Sequence, residues 1–163
     1  MKALLRGAGA ALVLSATSGA AMATETPLMA PIHQFIDSFD KGDTKGAAKA
    51  FAPGSVSIID EVPPHVWIGP AALQHWAKDL ASASKAGGLT DEAVTLGTAT
   101  REDINGDRGY VVVPAVFAYT EKGTPMREAA QMVYALKKTA QGWLITGWTW
   151  TGGTPAPASA AAK

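Results

Sequence analysis

The sequence predicts an α+β domain in which three N-terminal helices pack in a curved antiparallel sheet. Three observations predict it. Apolar residues recur with helical spacing in the first half of the chain, they alternate with period two after Leu89, and the links between the alternating stretches are short and turn-forming. Short links imply an antiparallel meander, whose inner face needs a cover that only the helices can supply.

Composition agrees with a single globular unit. The 163 residues hold no cysteine and balance 14 Lys+Arg against 14 Asp+Glu, with 47% apolar and 17% charged residues. Zero net charge leaves no electrostatic footprint for nucleic acid. Without cysteine there are no disulfides, thiolate metal ligands or cysteine nucleophile.

The two ends read as separate from the fold. Residues 1–23 have the layout of a signal peptide: basic Lys2 and Arg6, an Ala/Leu/Val-rich run from Ala8, and Ala21-Met22-Ala23 before a cleavage point. The chain is therefore expected to be exported, periplasmic or secreted, with no membrane span after cleavage. Residues 24–30 form a lead, 31–151 the domain, and 152–163 a Pro/Ala-rich tail expected to be disordered.

Pro31 suits a first helical turn, and Ile32, Phe35, Ile36 and Phe39 form a helical stripe ending at Gly42. Asp43 can cap a second helix through Ala47, Ala48 and Phe51, stopped by Pro53-Gly54. In Ser55 to Asp60, alternation puts Val56 and Ile58 on one face and carries Asp60 onto that same apolar face, with Glu61 solvated on the other. A third helix opens at Gly69-Pro70, buries Leu73, Trp76, Ala77 and Leu80, and fades at Gly87-Gly88. Thr90 to Ile104, Arg108 to Thr120, Met126 to Lys138 and Trp143 to Thr151 then read as four strands.

This order of elements resembles the NTF2-like superfamily, the cone fold of SnoaL-like polyketide cyclases and ketosteroid isomerases. The likeness is carried by Phe35 to Asp43, by Ile58-Ile59-Asp60 followed by Gly69 to Leu73, and by Leu136 to Lys138 with Gly142-Trp143-Leu144-Ile145. It covers about Ile32 to Thr151. The resemblance puts Asp60 where ketosteroid isomerases keep their general base. Their two oxyanion donors would fall at Phe35 and near Met132, which have no donor, and the last-strand acid of the cyclases would lie near Thr149. One base without those partners is the departure from the family pattern.

The candidate site is therefore Asp60 as the catalytic group, with Phe35, Phe39, Trp67, Trp76, Met132 and Tyr134 as pocket walls and His65 as a secondary candidate. Asp60 has a competing reading, because an aspartate before Val62-Pro63-Pro64 can bond turn amides. His65 in the same turn can orient Asp60 or simply sit exposed. Tyr134 shares a strand face with Met132 and can supply the missing donor. His33 and His75 lie beside their helical stripes, no histidine pair has ligand spacing, and neither a metal nor another cofactor is implied. The expected ligand is a small, mostly apolar molecule, with proton transfer of the isomerase, dehydratase or cyclase type as the chemistry one carboxylate supports. The alternative is a non-catalytic binding or dimeric assembly module with a filled cavity. Strict alternation makes both faces of the last strand apolar, and a homodimer through Trp148 and Trp150 would cover the outer one.

Overall fold

The computed structural model describes residues 26–161; the signal peptide expected at 1–23 lies outside the described residues. Helix α1 (Met29–Asp40) buries Ile32, Phe35 and Ile36. It stops where Gly42 takes a φ of 65°, a conformation glycine enters without a Cβ clash. Asp43 caps α2 (Thr44–Lys49), its carboxylate accepting from the Gly46 amide. Strand β1 (Val56–Ile59) forms a hairpin with β2 (Val66–Gly69), and α3 (Ala72–Gly87) follows, ending at left-handed Gly88. Among the described residues no helix is long and apolar enough to cross a membrane.

The fold begins earlier than Pro31. Leu28 and Met29 are buried, and Leu28 packs so closely on Gly109 that a Cβ there would come within 2.6 Å of it. Thr26 adds a hydrogen bond from its hydroxyl to Glu102. The last residues of the lead thus belong to the core.

The stretch expected as one strand over Thr90 to Ile104 is two, β3 (Leu89–Leu96) and β4 (Arg101–Asn105), both antiparallel to β5 (Arg108–Glu121). The break has a cause on the facing strand. Pro114 accepts from the Gly97 amide, so its missing N–H faces that same edge and the ladder cannot continue. Strands β6 (Thr124–Thr139) and β7 (Gly142–Gly152) complete the meander, and the sheet order is β2-β1-β7-β6-β5-β3. The sheet is mixed rather than wholly antiparallel, because β1 runs parallel to β7. These two strands lie far apart in sequence, so no hairpin dictates their direction. The helices fill the concave face, α1 against β3 and β7 and α3 against β1, β2 and β3.

The tail is not featureless. Strand β8 (Ala156–Pro157) pairs with β6 at Met126 and Arg127, and a single 3-10 turn (Ala158–Ala161) follows. Strand β7 reaches along β6 only as far as the Ala130–Gly152 pair. The rest of that edge offers unpaired backbone groups, and the returning chain takes them.

One bulge reverses the expected faces of the last strand. Ala135 pairs with Gly147 but Leu136 pairs with Ile145, leaving Thr146 as an extra residue whose hydroxyl donates to the Ala135 carbonyl. An extra residue flips the parity of everything beyond it. Ile145 and Trp148 therefore both point into the core, at 0% and 4% exposure. Trp150 follows them inward, half-buried. The expected dimer contact through Trp148 and Trp150 is corrected accordingly: both indoles share the inner face of β7 with Ile145.

Gly147 lies against β1 so tightly that a Cβ would sit 2.7 Å from the Ser57 carbonyl oxygen. A backbone atom cannot rotate away. Gly147→Ala is expected to cost about 1–3 kcal/mol of stability by forcing β1 from β7, measured by urea unfolding; an unchanged midpoint would contradict this packing.

Candidate functional site

The concave face encloses a cavity of about 170 Å³ under the helices, walled by Phe35, Phe39, Trp76, Met132, Trp148 and Trp150 among others. Its aromatic rings form two groups. Trp76 stands edge-on to Trp148 with centroids 5.0 Å apart, and Phe35 touches both, at 6.0 Å and 5.7 Å. On the sheet, Phe117 lies 4.9 Å from Tyr119 and 6.3 Å from Trp150.

Asp60 follows the end of β1 and lines this cavity, as alternation predicts. One carboxylate oxygen accepts from the Val62 amide at 3.1 Å, a turn contact, and the other accepts from Trp76 Nε1 at 2.8 Å. The two donors fix the carboxylate at the cavity wall. His65 is exposed, and its ring lies 3.3 Å from the Asp60 backbone oxygen, not from the carboxylate.

Two expected wall residues lie elsewhere. Trp67 is buried on β2, and its Nε1 donates to Asp79 on α3 at 2.9 Å, joining hairpin to helix outside the cavity. Tyr134 is wholly buried and its hydroxyl donates to the Met132 sulfur at 3.2 Å. Burial pushes this phenol well above its ordinary range, and it does not reach the cavity. Phe35 and Met132 line the wall without a donor. Trp148 carries the one buried side-chain nitrogen among the described residues that has no hydrogen-bond partner.

Sequence reasoning missed two acids. Glu128 on β6 lines the cavity at 1% exposure. Its Oε1 accepts from Trp150 Nε1 at 2.9 Å and lies against the bare Cα of Gly152, where a Cβ would overlap it. Glu61 is exposed, as expected, but it sits on the cavity rim and hydrogen-bonds to Glu128. The hairpin's last backbone hydrogen bond runs from the Asp60 amide to the His65 carbonyl, so alternation carries to Asp60 and does not govern the residue after it. Burial pushes the Glu61 carboxyl up to about 7, with the negative charge and hydrogen bond of Glu128 and the charge of Asp60 adding to it. The residue itself remains exposed at the rim, so this proton exchanges with solvent. Tyr119 is raised too, first by burial and then by Glu121, Glu128 and Glu61. Glu92 completes the acids of the wall and accepts from buried Ser84 at 2.7 Å. Among the described residues no Lys, Arg or His lines the cavity.

No protein-family model matches the chain, and no curated protein matches it. Solved structures do. An NTF2-like superfamily protein from Salmonella enterica superposes with a TM-score of 0.62 at 16% identity, covering 76% of this chain and 87% of that one. A ketosteroid isomerase-like protein from Erwinia carotovora gives 0.59 at 14%, covering 78% and 94%. A hexachlorocyclohexane dehydrochlorinase gives 0.63 at 12%, covering 78% and 86%. These likenesses show the NTF2-like cone fold.

The Glu61 proton makes stability depend on pH. The folded state holds it to about 7, whereas an unfolded glutamate releases it near 4.5. The contribution is therefore complete below the lower value and lost as pH rises through the higher one. Melting temperature is expected to fall between about pH 5 and pH 8, and Glu61→Gln to flatten that slope; an identical slope in the variant would contradict the pairing. Gly152→Ala is expected to break the Trp150–Glu128 bond, read as a change in near-ultraviolet tryptophan dichroism; an unaltered spectrum would show that Gly152 is not what seats Glu128.

Proposed function

We propose that this NTF2-like fold uses its cavity to bind a small, mostly apolar molecule, with Asp60 as the polar anchor. The observation that carries the reading is the Asp60 carboxylate, held at an apolar wall by the Trp76 indole and the Val62 amide. A carboxylate oriented in this way can accept a proton from carbon. Proton transfer of the isomerase, dehydratase or cyclase type is the chemistry it supports, and a ketosteroid isomerase-like protein and a dehydrochlorinase of the same fold are consistent with it. The donors absent at Phe35 and Met132 have a substitute. Trp148 lines the cavity with an unpartnered Nε1–H, suited to an oxygen of the bound molecule. We also infer export, on the basic, apolar and small-residue order of residues 1–23.

A second reading, a dimeric assembly module, is favoured by a different surface from the one the sequence suggested. Register aligns Val66, Ile59, Thr149, Val133 and Val112 in one row across the outer face of the sheet. Ile59, Val66 and neighbouring Ile68 are 45%, 48% and 72% exposed. A second copy of this chain would cover that row.

Asp60→Asn is expected to weaken binding of small apolar ligands at least about tenfold, roughly the loss of one charge-assisted hydrogen bond, with far-ultraviolet dichroism unchanged. Undiminished binding would remove Asp60 from the site. For the second reading, sedimentation of the mature protein at micromolar concentration should give a dimer that Ile68→Asp dissociates; a wild-type monomer would contradict it.

A further inference from the structure

Every charged group on the cavity wall is acidic. Asp60, Glu61, Glu92 and Glu128 line it, and among the described residues no basic side chain answers them. Glu128 is the most telling, because burying a carboxyl among aromatic rings is unfavourable unless something compensates it. Hydrogen bonds from Trp150 and Glu61 compensate part of it. They supply no positive charge.

The apolar part of the wall is of a particular kind. Indole and phenyl rings present negative π-faces, which attract cations more strongly in a desolvated site. Each tryptophan bonded to an acid belongs to one of the two aromatic groups: Trp76 holds Asp60, and Trp150 holds Glu128. Among the described residues no three His, Cys, Asp or Glu are placed to hold a metal ion. The remaining match to acids set in aromatic walls is an organic cation. A further observation points to a ligand: Trp148, 4% exposed and lining the same cavity, keeps an unpartnered Nε1–H that requires an acceptor.

We propose that the cavity is a receptor site for an organic ammonium ion on a small apolar body that also carries an oxygen acceptor. Its charge lies against Asp60, Glu61 and Glu128, its carbon groups lie against the indole faces, and its oxygen meets Trp148 Nε1. This rests on the reading of the cavity as a small-molecule site, and it narrows the ligand class. If Asp60 abstracts a proton, the substrate is an amine-bearing one.

Binding is linked to a proton. The Glu61 carboxyl, pushed up to about 7 beside Glu128, is partly protonated at neutral pH, and an arriving cation displaces that proton. The other titratable groups around the pair are Asp60 after β1, Glu92 on β3, and Tyr119 and Glu121 on β5, while α1 and α3 present none to the cavity. Acid therefore opposes the ligand.

The test uses choline, whose quaternary charge does not titrate, against dimethylbutanol, its neutral carbon isostere, in the mature protein. Quenching of tryptophan fluorescence reads binding directly, because Trp76, Trp148 and Trp150 line the cavity. Choline is expected to bind at least about tenfold more tightly than the alcohol, and its affinity to rise about tenfold from pH 6 to pH 8. Glu61→Gln, an exposed rim position, should remove that pH dependence and most of the preference, and Glu128→Gln should do the same wherever it folds. Equal or tighter binding of the alcohol would overturn the cation site while leaving a small-molecule cavity standing. Binding of neither would overturn both. A preference untouched by Glu61→Gln would also overturn the assignment.

Discussion

Glu128 puts a carboxyl group almost wholly out of water on the concave face of the sheet, and its surroundings are arranged around that fact. An unpaired carboxylate in such a place would cost several kcal/mol. Trp150 can donate to it because the Thr146 bulge has turned the end of β7 inward. Gly152 leaves the space that the carboxylate occupies. Glu61 brings a proton to it from the turn after β1. Strand, bulge, glycine and turn thus converge on one group.

A core built only for stability would place an apolar side chain there, since apolar replacements of buried charges are often neutral or stabilising. An acid without a cationic partner among the described residues, beside a cavity that already holds Asp60, supports the proposed site. The aromatic rings serve two ends in it. Their edges donate hydrogen bonds that orient the carboxylates, and their faces form the apolar wall. Trp148 takes part in the wall alone, and its buried nitrogen has no hydrogen-bond partner.

Much of the fold was legible in the sequence, because helical spacing and alternation are direct consequences of which face is buried. Phe35 and Ile36 on α1, the turns at Gly106 and Gly123, and the inward position of Asp60 all follow from it. Glu128 was legible by the same means, since Met126, Ala130, Met132, Tyr134 and Leu136 share its parity on β6. Three things were not. A single-residue bulge leaves no mark in a hydrophobic pattern, so Trp148 and Trp150 seemed to face outward. Glu61 lies just past a strand end, where period two no longer applies. Trp67 and Tyr134 are apolar and inward, but their polar atoms meet Asp79 and Met132, partners set by tertiary packing.

The account stands on a raised Glu61 carboxyl hydrogen-bonded to Glu128 at the edge of an acidic, aromatic cavity. Carbon-detected NMR of the glutamate side chains, titrated in the wild type and in Glu128→Gln, measures it directly. The account predicts that Glu61 titrates near 7 in the wild type and lower once Glu128 is neutral, while burial still holds it above its ordinary 4.5. A wild-type Glu61 that already titrates at its ordinary value would contradict it.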